Sequence, residues 1–237
     1  MSAIAFSIAR LEALRRIESW HFWFVSRREL VASLLQRELR EGETLLDVGC
    51  GTGASLSLAG AGVRRVGVDI HIEELTRGML QGDATSLPLR TSSVDVILAL
   101  DVLEHVDDDA MLAEVARVLR GGGRLIATVP AVRALWSVRD EAAGHRRRYS
   151  RAMVRDLLTR HGFRLRHLRG FQFVLLPMVL LSRLTRRKSV AARDFEDAPP
   201  RWLNRILLAV NRLELRLPRL LRPPVGSSLA LVAVKEP

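Results

Sequence analysis

Short apolar runs recur through the first half of the chain and alternate with stretches whose apolar positions repeat at helical spacing, the pattern of a parallel α/β sheet. Strands are predicted over 44–48, 65–69, 79–81, 94–100 and 124–129, with helices between them. One helix is expected over 109–120, stopped by Gly121, Gly122 and Gly123. Ser150 reads as the N-cap of a helix ending near His161, before Gly162, and a sixth strand follows over 163–169. The final run SSLALVAVKE is the seventh strand. Residues 4–40 are helical by periodicity and precede the first strand, where they can lie across the ligand edge of the sheet. About 57 residues separate the last two strands, a connection long enough to imply a function. The expected organisation is an N-terminal helical cap (1–42), a core (43–170), an apolar and basic helical insertion (171–227) and a final core strand (228–237).

Composition narrows the class. With 237 residues, 48% of them hydrophobic, the chain can bury one large core. A single cysteine, Cys50, excludes a disulfide framework and a multi-thiolate zinc site and suits a reducing cytoplasm. The first twenty residues mix acids and bases without the basic start, apolar centre and cleavage site of a signal peptide, so a cytoplasmic location is expected. The net charge of +11 is unevenly placed: residues 1–130 carry 14 Arg against 18 Asp and Glu (−4), and residues 131–237 carry 23 Lys and Arg against 8 Asp and Glu (+15). A basic second half implies an anionic partner such as phospholipid headgroups, a pyrophosphate-linked substrate or nucleic acid.

The chemistry is announced by ETLLDVGCGTGASL, a strand that opens into a glycine loop at Asp47-Val48-Gly49-Cys50-Gly51-Thr52-Gly53 and is expected to lead into a helix. Asp69 ends the next strand, where a carboxylate can bond ribose hydroxyls. The loop is tighter than a dinucleotide G-x-G-x-x-G, and Asp47 before it would repel phosphate but suit a cation. Together with GVDI, GDATSLPL, SVDVILALDVLEHVDD and VLRGGGRLIATVP, in that order over residues 43–130, the chain resembles the class I S-adenosylmethionine-dependent methyltransferases. The resemblance implies a Rossmann-like, seven-stranded, mostly parallel sheet with helices on both faces, a lid formed by the N-terminal helices, and S-adenosylmethionine as cofactor. It further implies that Gly49, Gly51 and Gly53 lie along the methionine part of the donor with Asp47 near its amino group, and that Asp69 binds the ribose. Asp83 and Ala84 would contact adenine, with Cys50, Ile70 and Leu100 beside the donor. The interval between Asp69 and Asp83 is shorter than is usual in the family, so the helix after the second strand must be trimmed.

On the acceptor side, Asp101-Val102-Leu103-Glu104-His105 stands where base-amine methyltransferases carry an N/D-P-P-Y/F type motif, which argues against that activity. The run resembles the E-x-x-E-H element of ubiquinone-pathway O-methyltransferases, associated there with a divalent metal that Asp101, Glu104 and His105 could ligate. Asp101 replaces the first Glu, and the preferred reading is that the run packs or caps the next helix, with no metal. After the fifth strand, DEAAGHRRRYS resembles a D-E-x-x-G-H-x-R-R-Y stretch of a bacterial subset of these enzymes. There His145 can act as base near neutral pH and the arginines can hold a phosphate or carboxylate; His145, His105 and Tyr149 are the catalytic candidates. In the same subset an aromatic-then-arginine run precedes the core, and Trp23 and Arg27 of WHFWFVSRR are the lid residues expected near the donor.

The insertion contains FQFVLLPMVLLSRLTRRK, whose uninterrupted apolar part over 173–181 has Pro177 inside it, whereas spanning a bilayer takes about twenty residues. Further on, Arg201, Arg205, Arg212, Arg216 and Arg219 share one helical face, while Trp202, Ile206, Ala209, Val210, Leu213, Leu217 and Leu220 fill another. This is the pattern of a helix lying in a membrane interface, here through 171–222, or of two segments packed on each other and on the sheet. The expected activity is methyl transfer to an oxygen of a small-molecule, glycan-linked or lipid-type acceptor, by a cytoplasmic protein peripheral to the inner face of the membrane. The alternatives are an RNA or protein methyltransferase, or a non-catalytic donor-binding scaffold. Nucleic acid is disfavoured by DVLEH and by the lack of alternating aromatic and basic residues on a sheet face.

Overall fold

The computed structural model of the protein describes residues 8–71, 78–185, 199–217 and 225–237. Two helices, α1 (Ile8–Ile17) and α2 (Phe22–Glu38), precede the sheet. The strands are β1 (Thr44–Val48), β2 (Arg64–Asp69), β3 (Met79–Gln81), β4 (Val94–Leu100), β5 (Leu119–Pro130), β6 (Phe163–Phe171) and β7 (Ser228–Lys235). Helices α3 (Asp108–Val118), α4 (Val138–Ala142), α5 (Arg151–Arg160), α6 (Leu176–Thr185) and α7 (Arg201–Arg216) fill the connections. The seven strands form one sheet in the order β3-β2-β1-β4-β5-β7-β6; β7 runs antiparallel to both its neighbours and the other pairs are parallel. This is the Rossmann-like, seven-stranded, mostly parallel sheet that the motifs implied.

Alternation along the central strands explains the layers. Leu46, Val48, Ile97, Ala99, Leu125 and Ala127 face α3 and α5, meeting Met111, Leu112, Val115, Val154 and Leu158. The intervening Leu45, Val96, Leu98 and Ile126 face α2 through Leu30, Val31, Leu34 and Leu35. Every residue of β1 is buried because the sheet is covered on both faces, so Leu45, Leu46 and Val48 are apolar without alternation, and only Thr44 and Asp47 are polar.

Three expectations change. The helix before β5 stops at Val118, and the three glycines are no helix stop. Leu119 already pairs with Val94 and Arg124 with Val96, so two steps along β4 match five along β5. Gly121, Gly122 and Gly123 form an excursion inside the strand, with Gly122 at φ 75°. The glycine loop after β1 leads into a short 3₁₀ turn, Ala54–Leu58, in place of the helix expected there. The N-terminal segment is broken at residues 18–21, where His21 caps α2 by accepting a hydrogen bond from the Trp23 N–H. The trimmed helix expected between Asp69 and Asp83 falls largely on residues 72–77, outside the described residues.

Strand order reverses between β1 and β4, and in open α/β sheets the crevice beyond the carboxyl ends at such a reversal is where ligands bind. Because β7 is antiparallel, its first residue, Ser228, pairs with both Pro130 at the end of β5 and Phe171 at the end of β6. The whole insertion therefore leaves and re-enters the sheet at the ligand edge. It docks there through α7, whose buried stripe is Asn204, Leu207, Asn211 and Glu214. Asn204 accepts from the Phe22 N–H (2.8 Å) and donates to the Trp20 carbonyl (2.8 Å). Asn211 donates to Ser26 Oγ (2.9 Å).

Candidate active site

A cavity of about 990 Å³ opens at the strand reversal. Its floor is the β1 end and the glycine loop. Gly49 and Gly51 adopt φ 70° and 52°, which glycine reaches without steric cost, and their amides follow different partners. The Gly49 N–H donates to the Val68 carbonyl (2.7 Å), and the Gly51 N–H donates to Asp69 Oδ2 (2.8 Å). Asp69 Oδ1 accepts from the His71 N–H (2.9 Å), so this carboxylate is aimed by backbone on both sides. Asp47 is 1% exposed, its Oδ2 has no hydrogen-bond partner among the described residues, and burial pushes its carboxyl up to about 7, against the pull of Arg27 and with a further push from Asp69. A cationic ligand beside this carboxyl would favour its charged form.

Of the residues expected at the donor, Asp47, Gly49, Cys50, Gly51, Asp69, Ile70, Asp83, Ala84, Leu100, Trp23 and Arg27 all line this cavity. Asp83 is held in a tight turn, its Oδ1 accepting from the N–H and hydroxyl of Thr85. Cys50 is buried, and burial with the charges of Asp47 and Asp69 pushes its thiol up to about 12, which keeps it a neutral wall residue. Gly53 does not line the cavity: at φ 75° it caps the 3₁₀ turn, and a Cβ there would fall 1.9 Å from Met79 Cε. The clash is with the flexible end of Met79, so the left-handed backbone is the stronger reason for glycine at this position.

The opposite wall is built by the ends of β4 and β5. Asp101, at φ 56°, is bound by Arg27 and accepts from Thr128 Oγ1 (3.0 Å), which ties α2 to the sheet. Glu104 is fully buried, and neither carboxylate oxygen has a hydrogen-bond partner among the described residues. Burial, then the charge of Asp101, holds its carboxyl well above the usual range, while Arg27 and Arg148 oppose the shift. The His105 and His145 rings meet edge-on, with centroids 4.8 Å apart.

His145 arrives from the loop after α4, and that loop is anchored from both ends. The Arg146 N–H donates to the Glu104 carbonyl (2.7 Å) and the Tyr149 N–H to the Pro130 carbonyl (2.8 Å). Asp140, 1% exposed, faces His145 Nδ1 at 2.9 Å, accepts from Arg148 at 2.8 Å and closes the capping box of α4 with Ser137. The His145 and Arg148 bonds outweigh burial and hold the Asp140 carboxyl below its ordinary range. Tyr149, expected to be catalytic, is placed elsewhere. It is 2% exposed, outside the cavity, and donates its hydroxyl to Asp108 Oδ2 (2.9 Å). Burial and the Asp108 charge drive the phenol far above its ordinary range, so it is a packing residue that fixes the loop.

Motif reading missed the third wall. Gln172, Leu175, Met178 and Val179 from the start of the insertion, Ser227 and Ser228 from its end, and Leu14, Ile17 and Glu18 from the cap all line the cavity. Glu18 accepts from the Thr52 hydroxyl (2.8 Å), closing the cap over the glycine loop. The available signal was topological: any chain joining β6 to an antiparallel β7 must pass over the ligand edge.

Residues 46–127, from inside β1 to inside β5, match the methyltransferase domain family. With the fold and the cavity floor, this defines the core as a class I S-adenosylmethionine-dependent methyltransferase domain, with S-adenosylmethionine as its cofactor. The chain is 36% identical over 113 residues to demethylmenaquinone methyltransferase of Mycobacterium sp. (strain KMS), covering 44% of this chain and 46% of that protein. It is 33% identical over 121 residues to O-methyltransferase cnsE of Penicillium expansum, covering 41% and 44%. Among solved structures, a SAM dependent methyltransferase from Archaeoglobus fulgidus superposes with a TM-score of 0.55 at 21% identity over 88% of this chain and 94% of that one. The chain spans 32–60% of the length of the first curated relatives it matches.

Proposed function

We propose that the protein transfers the methyl group of S-adenosylmethionine to a hydroxyl oxygen of an apolar, lipid-linked acceptor at the cytoplasmic face of a membrane. The observation that carries this reading is the single cavity in which the donor floor, the Glu104, His105 and His145 wall and the apolar Leu175, Met178 and Val179 wall face one another. In this reading Asp47 receives the donor's ammonium, Asp69 the ribose hydroxyls, and Asp83 with Ala84 the adenine. The bound donor supplies an electrophilic methyl group. What the chain adds is alignment of the two reactants and a polar cluster that activates the acceptor hydroxyl.

The acceptor's character follows from the outer surface of the insertion. Phe173, Val174 and Leu181 at the start of the insertion and Trp202, Ile206 and Leu213 on α7 are exposed, and Arg201 and Arg205 are exposed beside them on that helix, while Arg212 pairs with Glu29. No helix among the described residues is long and apolar enough to cross a membrane. An apolar stripe bordered by arginines suits the boundary between acyl chains and anionic headgroups. Incubation with radiolabelled donor and host extract, fractionated into lipid, small-molecule, RNA and protein pools, tests the reading. Label in the lipid pool is expected; label confined to RNA or protein overturns it.

A further inference from the structure

We infer that Glu104, His105 and His145 form a binding site for a divalent transition-metal cation at the acceptor wall of the cavity. The inference deepens the proposed hydroxyl methylation and rests on it only for the cation's use, not for its binding.

Four observations converge. One ligand atom from each of the three residues lies within 4.8 Å of the others, so a small closure around an ion brings all three into its coordination sphere. Glu104 is fully buried with both carboxylate oxygens unpartnered among the described residues, an arrangement that is unfavourable for a charged group unless a cation or a proton compensates it. His145 Nδ1 faces Asp140 Oδ1 at 2.9 Å, which leaves Nε2 as its ligand atom and supplies the carboxylate that orients metal-bound imidazoles. Asp140 is itself immobilised by Arg148 and by the cap of α4, so the orientation is built into the loop.

The donor set also selects the ion. One carboxylate and two imidazoles suit zinc, iron, manganese, cobalt or nickel, while calcium and magnesium prefer oxygen donors throughout. Asp101, which the sequence offered as a ligand only in its less favoured metal reading, is instead engaged by Arg27 and Thr128. Its place is taken by His145, which the Arg146 N–H to Glu104 carbonyl bond brings against the end of β4 from 41 residues away in sequence. Three ligands on one wall leave the cavity side of the ion open to the acceptor oxygen. A hydroxyl held there is acidified and loses its proton to solvent water. The oxygen–carbon bond then forms as the carbon–sulfur bond of the donor breaks, with the electron pair remaining on sulfur.

The test uses the full chain stripped with chelator, without donor or acceptor. Cobalt(II) is titrated and followed by its ligand-field absorption, and zinc(II) by equilibrium dialysis with elemental analysis. One equivalent per chain is expected. Asp140→Asn should weaken binding by about 10- to 100-fold, as outer-sphere changes do, and His105→Ala, Glu104→Gln and His145→Gln by more. His161→Ala, which does not line the cavity and pairs with Asp109, should leave the titration unchanged. Calorimetric titration with S-adenosylmethionine identifies any variant that has lost its fold; His145→Gln keeps the bulk of the side chain and isolates loss of the ligand. No stoichiometric binding, or equal binding by wild type and all three ligand variants, overturns the site. Labelled lipid produced by metal-free protein would overturn the site's catalytic use while leaving the proposed methylation intact.

Discussion

Asp47 sets the pH behaviour of the donor floor. Its carboxyl ionises near 3.8 in an ordinary setting and near 7 in the fold. The folded protein therefore holds a proton that the unfolded chain releases between those values. Its contribution to stability is complete below 3.8 and is lost as pH rises through 7. The donor's ammonium reverses the preference, so binding at a pH just below 7 should expel the Asp47 proton. Calorimetric binding heats should then vary with the ionisation enthalpy of the buffer. In Asp47→Asn that variation should vanish and affinity should fall by roughly 1.5–3 kcal/mol, about 10- to 150-fold. Identical buffer dependence in both proteins would remove Asp47 from the ammonium site. Gly49 makes the companion case from sterics. At φ 70° a Cβ would lie 2.5 Å from Val102 Cγ2, so Gly49→Ala combines backbone strain of about 1–2 kcal/mol with displacement of the Asp101 to His105 turn. Thermal unfolding should drop by roughly 2–8 °C, and donor affinity should fall with it.

At the level of elements, the attachment of α7 to α2 depends on polar contacts. Asn204 satisfies the first amide of α2 and the Trp20 carbonyl, both buried or half-buried, while Asn211 reaches Ser26 and Glu214 accepts from the Val174 N–H (3.0 Å). Asn204→Ala strands the Phe22 N–H and should cost about 1–3 kcal/mol in denaturant unfolding, with faster hydrogen exchange at the start of α2. An unchanged midpoint would mean that α7 is held by Leu207 and its neighbours alone. The same contacts explain what sequence could and could not supply. The central strands were legible because burial on both faces writes a continuous apolar run, and the α5 cap because Ser150 accepts from the Met153 N–H within one turn. The inward stripe of α7 was not, since periodicity points to its apolar side and the fold buries two asparagines and a glutamate. The glycine excursion in β5 was misread because the same three residues would also end a helix. At the site, one contiguous loop carries most of the residues expected on the cavity floor, so sequence alone could group them. The meeting of Glu104 with His145 depends on a backbone bond between distant segments and was not legible.

For the whole molecule the question is why the basic half also carries the exposed apolar stripe. A chain with a balance of −4 over residues 1–130 and +15 over residues 131–237 has a field that orients it toward an anionic surface. Orientation alone does not hold it there, because attraction between exposed charges is screened over about 8 Å at physiological salt. Holding requires apolar insertion, and Trp202, Ile206 and Leu213 are 64%, 53% and 68% exposed on the outward side of α7. Fully burying one such side chain is worth about 1.5–3 kcal/mol, so partial insertion of three adds a contribution that salt does not screen. The two contributions separate experimentally. The full protein should sediment with vesicles containing phosphatidylglycerol, and raised salt should weaken this only in part. The triple variant Trp202→Ser, Ile206→Ser and Leu213→Ser should bind at low salt and be released almost completely at physiological salt. Its donor affinity should be unchanged, since none of the three residues lines the cavity. Equal retention of wild type and variant at every salt concentration would remove the apolar stripe from the interface, and no sedimentation of the wild type at low salt would remove the membrane.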